Sequence, residues 1–322
     1  MFCATCRGRS VPATHNVRII RGLPAVADQP VALTIGNFDG VHRGHQAMLT
    51  RLIEAAEDLC LPPAVLTFDP HPREFFAPDG APARLSTLRG KLEMFSAYGV
   101  ARTYIARFDA ALAALTPDAF VDDVLVRRLA TRWVLVGDDF RFGRARGGDL
   151  ATLRRHARRF SVEAMGTVDV DGERASSTAV REALARGELA HAAALLGRPY
   201  AISGRVAHGT KLGRTLGFPT ANLTLRHKPA LSGVFAVRVH GLGAAPRTGV
   251  ASLGVRPTIA EDAAPLLEVF IFDFDEPIYG RRIAVEFLHK LRDEARYPDL
   301  DTLTRQIHAD VAEARGYFAA QR

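Results

Sequence analysis

The hydrophobic pattern of the chain changes period near residue 200. Before that point, short continuous apolar runs at Val31 to Ile35, Pro63 to Phe68, Arg102 to Ala106 and Trp133 to Gly137 read as buried strands. Stretches of helical period separate them. Gln46 to Leu59 places Met48, Leu49, Leu52, Ile53 and Ala56 on one face, Lys91 to Tyr98 repeats the pattern, and Pro117 to Leu129 does so behind Thr116 as N-cap. Val17 to Ile20 reads as a short edge strand, and residues 1–16, without periodicity, as a disordered extension. Strand and helix alternate, which predicts a parallel sheet with helices on both faces, a Rossmann-like nucleotide-binding domain over residues 17–186.

Glu188 to Leu196 is a short amphipathic helix, and Gly197-Arg198-Pro199-Tyr200 breaks it, so residues 187–200 form a linker. Beyond it come β-rich runs separated by glycines: Ala201 to Ala207, Phe218 to Leu223, Gly233 to Val239, Thr248 to Leu253, Leu266 to Phe274 and Arg282 to Leu288. Asp301 to Phe318 returns to helical period through Leu303, Ile307, Val311 and Ala314. Residues 201–322 are therefore expected to form a small antiparallel β-barrel with a C-terminal helix, giving an α/β plus β chain.

Composition narrows the function classes only slightly. With 42 Lys+Arg against 35 Asp+Glu, the net charge of +7 suits anionic ligands without choosing between nucleotides and nucleic acid. The basic residues lie beside phosphate-type turns rather than in a stripe interleaved with aromatics, so no nucleic-acid partner is expected. Arg154, Arg155, Arg158 and Arg159 fall on a helical pattern and read as a solvated face. No apolar run approaches the roughly 20 residues that cross a bilayer, and no signal-peptide core is visible; the expectation is a cytoplasmic protein without a membrane partner. Cys3 and Cys6 form a CxxC with nothing to complete a metal site, and Cys60 stands alone, so all three read as free thiols. The oligomeric state is left open.

The chemistry centres on GNFDGVHRGH, residues 36–45. A glycine turn after a strand, leading into a helix with His42 and His45 around Gly44, offers helix-start N–H groups and imidazoles to a polyphosphate. With no strong nucleophile present, the stretch suits stabilisation of phosphate charge without a covalent intermediate. Asp138-Asp139-Phe140-Arg141-Phe142-Gly143 follows the last strand of the first domain directly, where ligand loops lie. Ser176, Ser177, Thr178 and Arg181 precede a helix and suit either N-capping or phosphate binding. In the second domain, Gly204, Gly209, Gly213 and Gly217 surround Lys211 and Arg214, a loop suited to polyphosphate. Thr220 and Asn222, two apart on a strand, present a hydroxyl and an amide carbonyl suited to Mg²⁺. Glu268, the only carboxylate of Leu266 to Phe272, shares a strand face with Phe270, Phe272 and Phe274 and suits a general base.

GNFDGVHRGH resembles the HxGH nucleotidyltransferase superfamily. TFDPHPREFF, LTPDAFVDDVL, VGDDFRFG and SSTAVREAL resemble, in order, the adenylyltransferase half of bifunctional riboflavin kinase/FAD synthetases. HGTKLGRTLGFPTANL, GVASLGVRPT and LEVFIFDFDEPIYG, with the region from Phe287 to Asp310, resemble the riboflavin kinase family. The resemblance implies ATP and Mg²⁺ in each half, with riboflavin, FMN and FAD as substrates and products. It gives Gly36, Asn37, Phe38, Asp39, Gly44, Ser176, Ser177, Thr178, Arg181, Gly209, Lys211, Gly213 and Arg214 to ATP or phosphate. Asp138, Phe140, Arg141, Phe142 and Arg292 go to the flavin, Thr220 and Asn222 to the metal, and Glu268, His42 and His45 to catalysis. The chain departs from the family pattern at Asp69, Asp109, Ala179, Ser252 and Phe270, where glutamate, asparagine, arginine, asparagine and histidine are familiar. The competing readings are another HxGH adenylyltransferase, which leaves the barrel unexplained, and a basic nucleic-acid-binding protein.

Overall fold

The computed structural model describes residues 17–209, 216–254 and 265–321. The N-terminal extension with Cys3 and Cys6, and Lys211, Gly213 and Arg214 of the glycine loop, lie outside the described residues. Two compact units are present: Met1–Pro82 with Leu88–Ala175, and Ala83–Thr87 with Ser176–Arg322.

The first unit is built on a six-stranded parallel sheet in the order β1-β4-β3-β2-β5-β6. The strands are β1 (Arg18–Arg21), β2 (Val31–Ile35), β3 (Pro63–Asp69), β4 (Arg102–Arg107), β5 (Thr131–Gly137) and β6 (Ser161–Met165). β2 is buried along its whole length, as a strand covered on both faces must be. Helix α1 (Arg43–Asp58) lies on one face, burying Leu49 and Leu52 with Phe95 of α3 (Leu88–Ala97). The other face packs Val124, Leu125 and Leu129 against Leu33, Leu66 and Val134. The chain runs outward from β2 through β3 to β4, then returns to β5 on the other side of β2. The crevice at the carboxyl ends of β2 and β5 is therefore the switch point where α/β sheets bind ligands. Short elements complete the unit: α2 (Pro72–Phe76), α4 (Ala110–Ala114), α6 (Leu150–Arg155), and the hairpin of β7 (Asp169–Val170) with β8 (Glu173–Arg174).

Three local expectations need adjustment. The helix after Thr116, whose side chain caps it as predicted, begins as α5 (Pro117–Ala119) and passes into a π-helix, Phe120–Arg128. At 3.6 residues per turn Arg127 and Arg128 would rotate toward the face of Phe120. The wider winding turns them away from it and brings Arg128 round to Asp123, which Arg127 engages at ordinary i,i+4 spacing, and it carries Leu129 into the core. The helical pattern over Arg154 to Arg159 stops early: α6 ends at Arg155, and Arg159 pairs with Asp122 from a turn. Cys60, expected as a free thiol, is disulfide-bonded; it lies exposed in the turn after α1, at φ +53°, where another thiol can reach it.

In the second unit, α7 (Ser177–Arg186) and α8 (Leu189–Leu196) precede the barrel, and α8 packs on β14 (Arg282–Arg292). The segment 187–200 thus holds a docked helix. The antiparallel sheet runs β10-β13-β12-β11-β14-β9, with β9 (Ala201–Arg205), β10 (Thr220–Thr224), β11 (Gly233–His240), β12 (Arg247–Gly254) and β13 (Leu266–Ile271). A bridge from Ala207, just past β9, to Asn222 on β10 nearly closes the barrel. Leu223, Phe235, Val237, Ala251, Leu253, Leu267, Val269 and Phe287 fill its interior. Helix α9 (Leu300–Ala319) covers part of the outer face, where Ala314 and Val311 meet Val234, Ala236, Val250 and Phe272.

Asp310 of α9 accepts two hydrogen bonds from Arg292 of β14, at 2.9 and 2.8 Å, and one from Gln306. Replacing Asp310 by alanine leaves the guanidinium without that partner. The expected cost in urea or thermal unfolding is near the low end of about 3–5 kcal/mol, because the Arg292 side chain keeps 23% exposure to water.

Candidate active sites

In the first unit the turn from Gly36 to His42 sits directly at the carboxyl end of β2. Phe38 and Val41 are wholly buried and both adopt positive φ, +51° and +42°. A β-branched residue in that region is a genuine outlier, so the turn is held against local strain. Asp39 and His42 are buried beside them. His42 and His45 stack at 3.7 Å between ring centroids, and Phe38 lies against the outer imidazole at 4.9 Å. A Cβ on Gly44 would come within 3.2 Å of the His42 ring and of the Ala175 carbonyl, so glycine is needed for the close approach.

His45 as a residue is partly exposed, while its Nδ1 is enclosed and unpartnered among the described residues, as is Oδ1 of Asn37. Burial, then the neighbouring His42 and Lys91, hold the His45 imidazole well below its usual range. It is therefore neutral near pH 7 and can donate one hydrogen bond. Lys91 of α3 was missed by sequence reasoning: it is 3% exposed, and its Nζ donates to the Asn37 carbonyl at 3.0 Å. Its only sequence signal is a lysine on the apolar side of a helical pattern.

The second predicted loop, Asp138 to Gly143, follows β5 and so borders the same crevice. Asp138 and Arg141 are exposed, Arg141 pairing with Asp149 at 3.1 Å. Phe140 stacks on Phe142, which is itself part of the core. Asp109, the family departure beside this half, caps α4 by accepting from the Leu112 N–H at 3.0 Å, so its charge faces a helix start. In the second unit Ser176 caps α7, accepting from the Ala179 N–H at 3.1 Å, and Arg181 donates to the carbonyls of Ala83 and Ser177. A phosphate role for Ser176, Ser177, Thr178 and Arg181 rests on the resemblance alone.

The barrel brings its candidates into a single cross-strand row. Asn222 pairs with Glu268, Glu268 with Ser252, Ser252 with Val234, and Val234 with Arg292. Directly opposed residues on antiparallel strands share a face, with Cβ atoms about 4.5–5.5 Å apart. This row lies on the outer face, since the alternate positions Ala221, Leu223, Leu267, Val269 and Leu253 fill the interior. Phe270, in the next row, packs edge-on to Phe218 and Phe272. The expected aromatic face does not extend to Phe274: β13 ends at Ile271 and Asp273 turns at φ +52°.

Asn222 Nδ2 donates to the Thr220 carbonyl at 3.0 Å, which orients the amide, and Oδ1 is enclosed without a partner among the described residues. Gly209 lies so close to this amide that no Cβ fits there. The Thr220 hydroxyl lies 3.5 Å from Nδ2, on the nitrogen side of the amide, while the enclosed neutral Oδ1, on the residue opposite Glu268, is the kind of oxygen donor that a hard divalent cation such as Mg²⁺ takes. Glu294, also missed from sequence, hydrogen-bonds Ser252; burial pushes its carboxyl above the usual range, and the charge of Glu268 acts in the same direction.

Two family models match the chain: FAD synthetase over residues 25–179 and riboflavin kinase over residues 196–318. A bifunctional riboflavin kinase/FMN adenylyltransferase from Escherichia coli K12 is 47% identical over 308 residues, covering 94% of this chain and 98% of that protein. One of the same description from Haemophilus influenzae is 46% identical over 307 residues, covering 94% and 99%. The crystal structure of a protein described as a macrolide-efflux protein from Streptococcus pneumoniae superposes with a TM-score of 0.74 at 27% identity, covering 91% of this chain and 97% of that one. Among the described residues no helix is long and apolar enough to cross a membrane. With both halves matched in order and nearly the whole length shared, the chain belongs to the bifunctional riboflavin kinase/FMN adenylyltransferase family.

Proposed function

We propose that the barrel phosphorylates riboflavin to FMN and that the parallel-sheet unit adenylylates FMN to FAD, each with ATP and small-molecule flavin substrates in the cytoplasm. The observation that carries the reading is the row Asn222, Glu268, Ser252, which sets an amide oxygen without a partner among the described residues opposite a carboxylate-bearing residue on a face apart from the barrel core. In the kinase reaction Glu268 accepts the proton of the riboflavin 5′-hydroxyl as that oxygen attacks the γ-phosphorus and ADP leaves. Thr220 and Asn222 would hold Mg²⁺, which would supply positive charge against the ATP phosphates. Arg292, fixed by Asp310, stands at the far end of the row toward the flavin.

In the adenylyl transfer, a phosphate oxygen of FMN attacks the α-phosphorus of ATP and pyrophosphate leaves. The neutral His45 donates a hydrogen bond to the phosphoryl oxygens, His42 acts beside it, and Gly44 leaves room for the phosphate to approach the start of α1. Asp138, Phe140 and Arg141 face the flavin from the neighbouring loop, with Phe142 behind them.

Glu268→Gln keeps the shape and removes the basicity, so kinase turnover should fall by about 10²–10⁴ while FAD formation from supplied FMN is unchanged. A kinase rate within a few-fold of wild type, in steady-state assays on folded protein, would exclude Glu268 as the base. His45→Ala should do the reverse, impairing FAD formation and sparing FMN formation; both products are resolved by chromatography.

The depressed His45 pKa also makes stability depend on pH. The unfolded imidazole, near 6.5, takes up its proton first, so the contribution is present above that pH and lost as pH falls, by at most about 1.4 kcal/mol per unit. Thermal unfolding between pH 7.5 and 5.5 should show wild type losing more stability than His45→Gln.

A further inference from the structure

Lys91 is a buried ionisable side chain that the mechanism above leaves unused. Lysine is among the residues least often buried, and α3 nevertheless carries it inward to the turn after β2. Its Nζ donates to the Asn37 carbonyl at 3.0 Å. Thr67 of β3, also buried, donates its Oγ1 to the same carbonyl at 3.4 Å. One carbonyl is thus gripped from two separate elements.

A trans peptide is planar, with C=O and N–H pointing in opposite directions. The cis bond among the described residues is at Asp69-Pro70, so the Asn37-Phe38 peptide is trans. Fixing the Asn37 oxygen toward Lys91 and Thr67 therefore fixes the Phe38 N–H on the opposite side of the turn. Phe38 is the first of the residues held at positive φ, a conformation that persists only where its surroundings impose it.

We propose that Lys91 is a positioning residue for adenylyl transfer: with Thr67 it clamps the Asn37-Phe38 peptide so that the Phe38 N–H is presented to the phosphoryl oxygen on which charge develops. The inference rests on the reading that the His42 and His45 turn carries that reaction. Preorganised backbone donors of this kind act on turnover more than on ground-state binding, because their geometry matches the transition state. The bond to Asn37 does not depend on what else the ammonium contacts.

The test is a double-mutant cycle on the full-length protein, with FAD formation from supplied FMN as the readout. Lys91→Met should lower kcat by about 10- to 100-fold, the scale of a misplaced catalytic group, with KM for ATP and for FMN changed less than about threefold. Thr67→Val, nearly equal in volume, should lower kcat by a few-fold. Because both side chains act through one peptide, the double variant should lose less than the product of the two single losses. Independent, multiplicative losses with a raised KM for ATP would mean that Lys91 contacts the nucleotide directly, and would overturn the proposal, as would an unchanged kcat in Lys91→Met. Should Lys91→Met fail to fold, Thr67→Val decides alone: a wild-type kcat overturns the clamp. His45→Ala, assayed in parallel, separates the two levels of failure. If it keeps FAD formation the site itself is misassigned; if it loses FAD formation while the Lys91 variant does not, only the clamp is wrong.

Discussion

The turn after β2 must leave a buried parallel strand, enclose two apolar side chains and start a helix without interruption. Between Ile35 and Arg43 the chain reverses with Phe38 and Val41 inside the core, and it does so only by accepting positive φ at both. The rest of the unit supplies what holds that conformation: Phe95 packs on the Phe38 ring, Lys91 and Thr67 grip the preceding carbonyl, and Gln46 caps the Val41 carbonyl from α1. Packing on one face of the sheet thus fixes backbone groups at its edge. The stacked imidazoles are placed by the same arrangement, and their enclosure keeps His45 neutral.

The barrel meets a related demand differently. Its interior is apolar and fully enclosed, which excludes chemistry there, so the polar row develops on the outside of β10, β13 and β12. Antiparallel register supplies the precision: residues far apart in sequence become direct neighbours because the ladder allows only that pairing. Helix α9 then shields the adjoining row of Phe270, Val250 and Ala236, and the Arg292 to Asp310 pair ties that helix to the strand that ends the polar row.

Much of this was legible because the signals were local. Buried parallel strands are continuous apolar runs, and the loops that follow β2 and β5 could be assigned to the ligand side without knowing the sheet order. Thr116 as N-cap, and Thr220 with Asn222 on one face, follow from neighbouring residues alone. Lys91 and Glu294 were not legible, since each acquires its meaning only from tertiary partners: Asn37 and Ser252 lie on other strands or turns. Asp109, known from the sequence only as a departure from the family pattern, takes its place in the fold as a cap whose charge meets a helix start. The run of arginines after Leu153 kept its helical spacing beyond the point where α6 ends.

The π-helix from Phe120 to Arg128 bears on how this chain is compared with others. Its buried positions are Phe120, Val121, Val124 and Leu125, with Leu129 just beyond it, and the wide turn shows in the Leu129 N–H, which reaches back five residues to the Val124 carbonyl. A turn of that width holds one more residue than an α-helical turn of the same rise. A relative that covers the same core with ordinary winding is therefore expected to be shorter by one residue for each such turn between Phe120 and Leu129. An ungapped alignment through the segment would then match core positions of one protein to surface positions of the other.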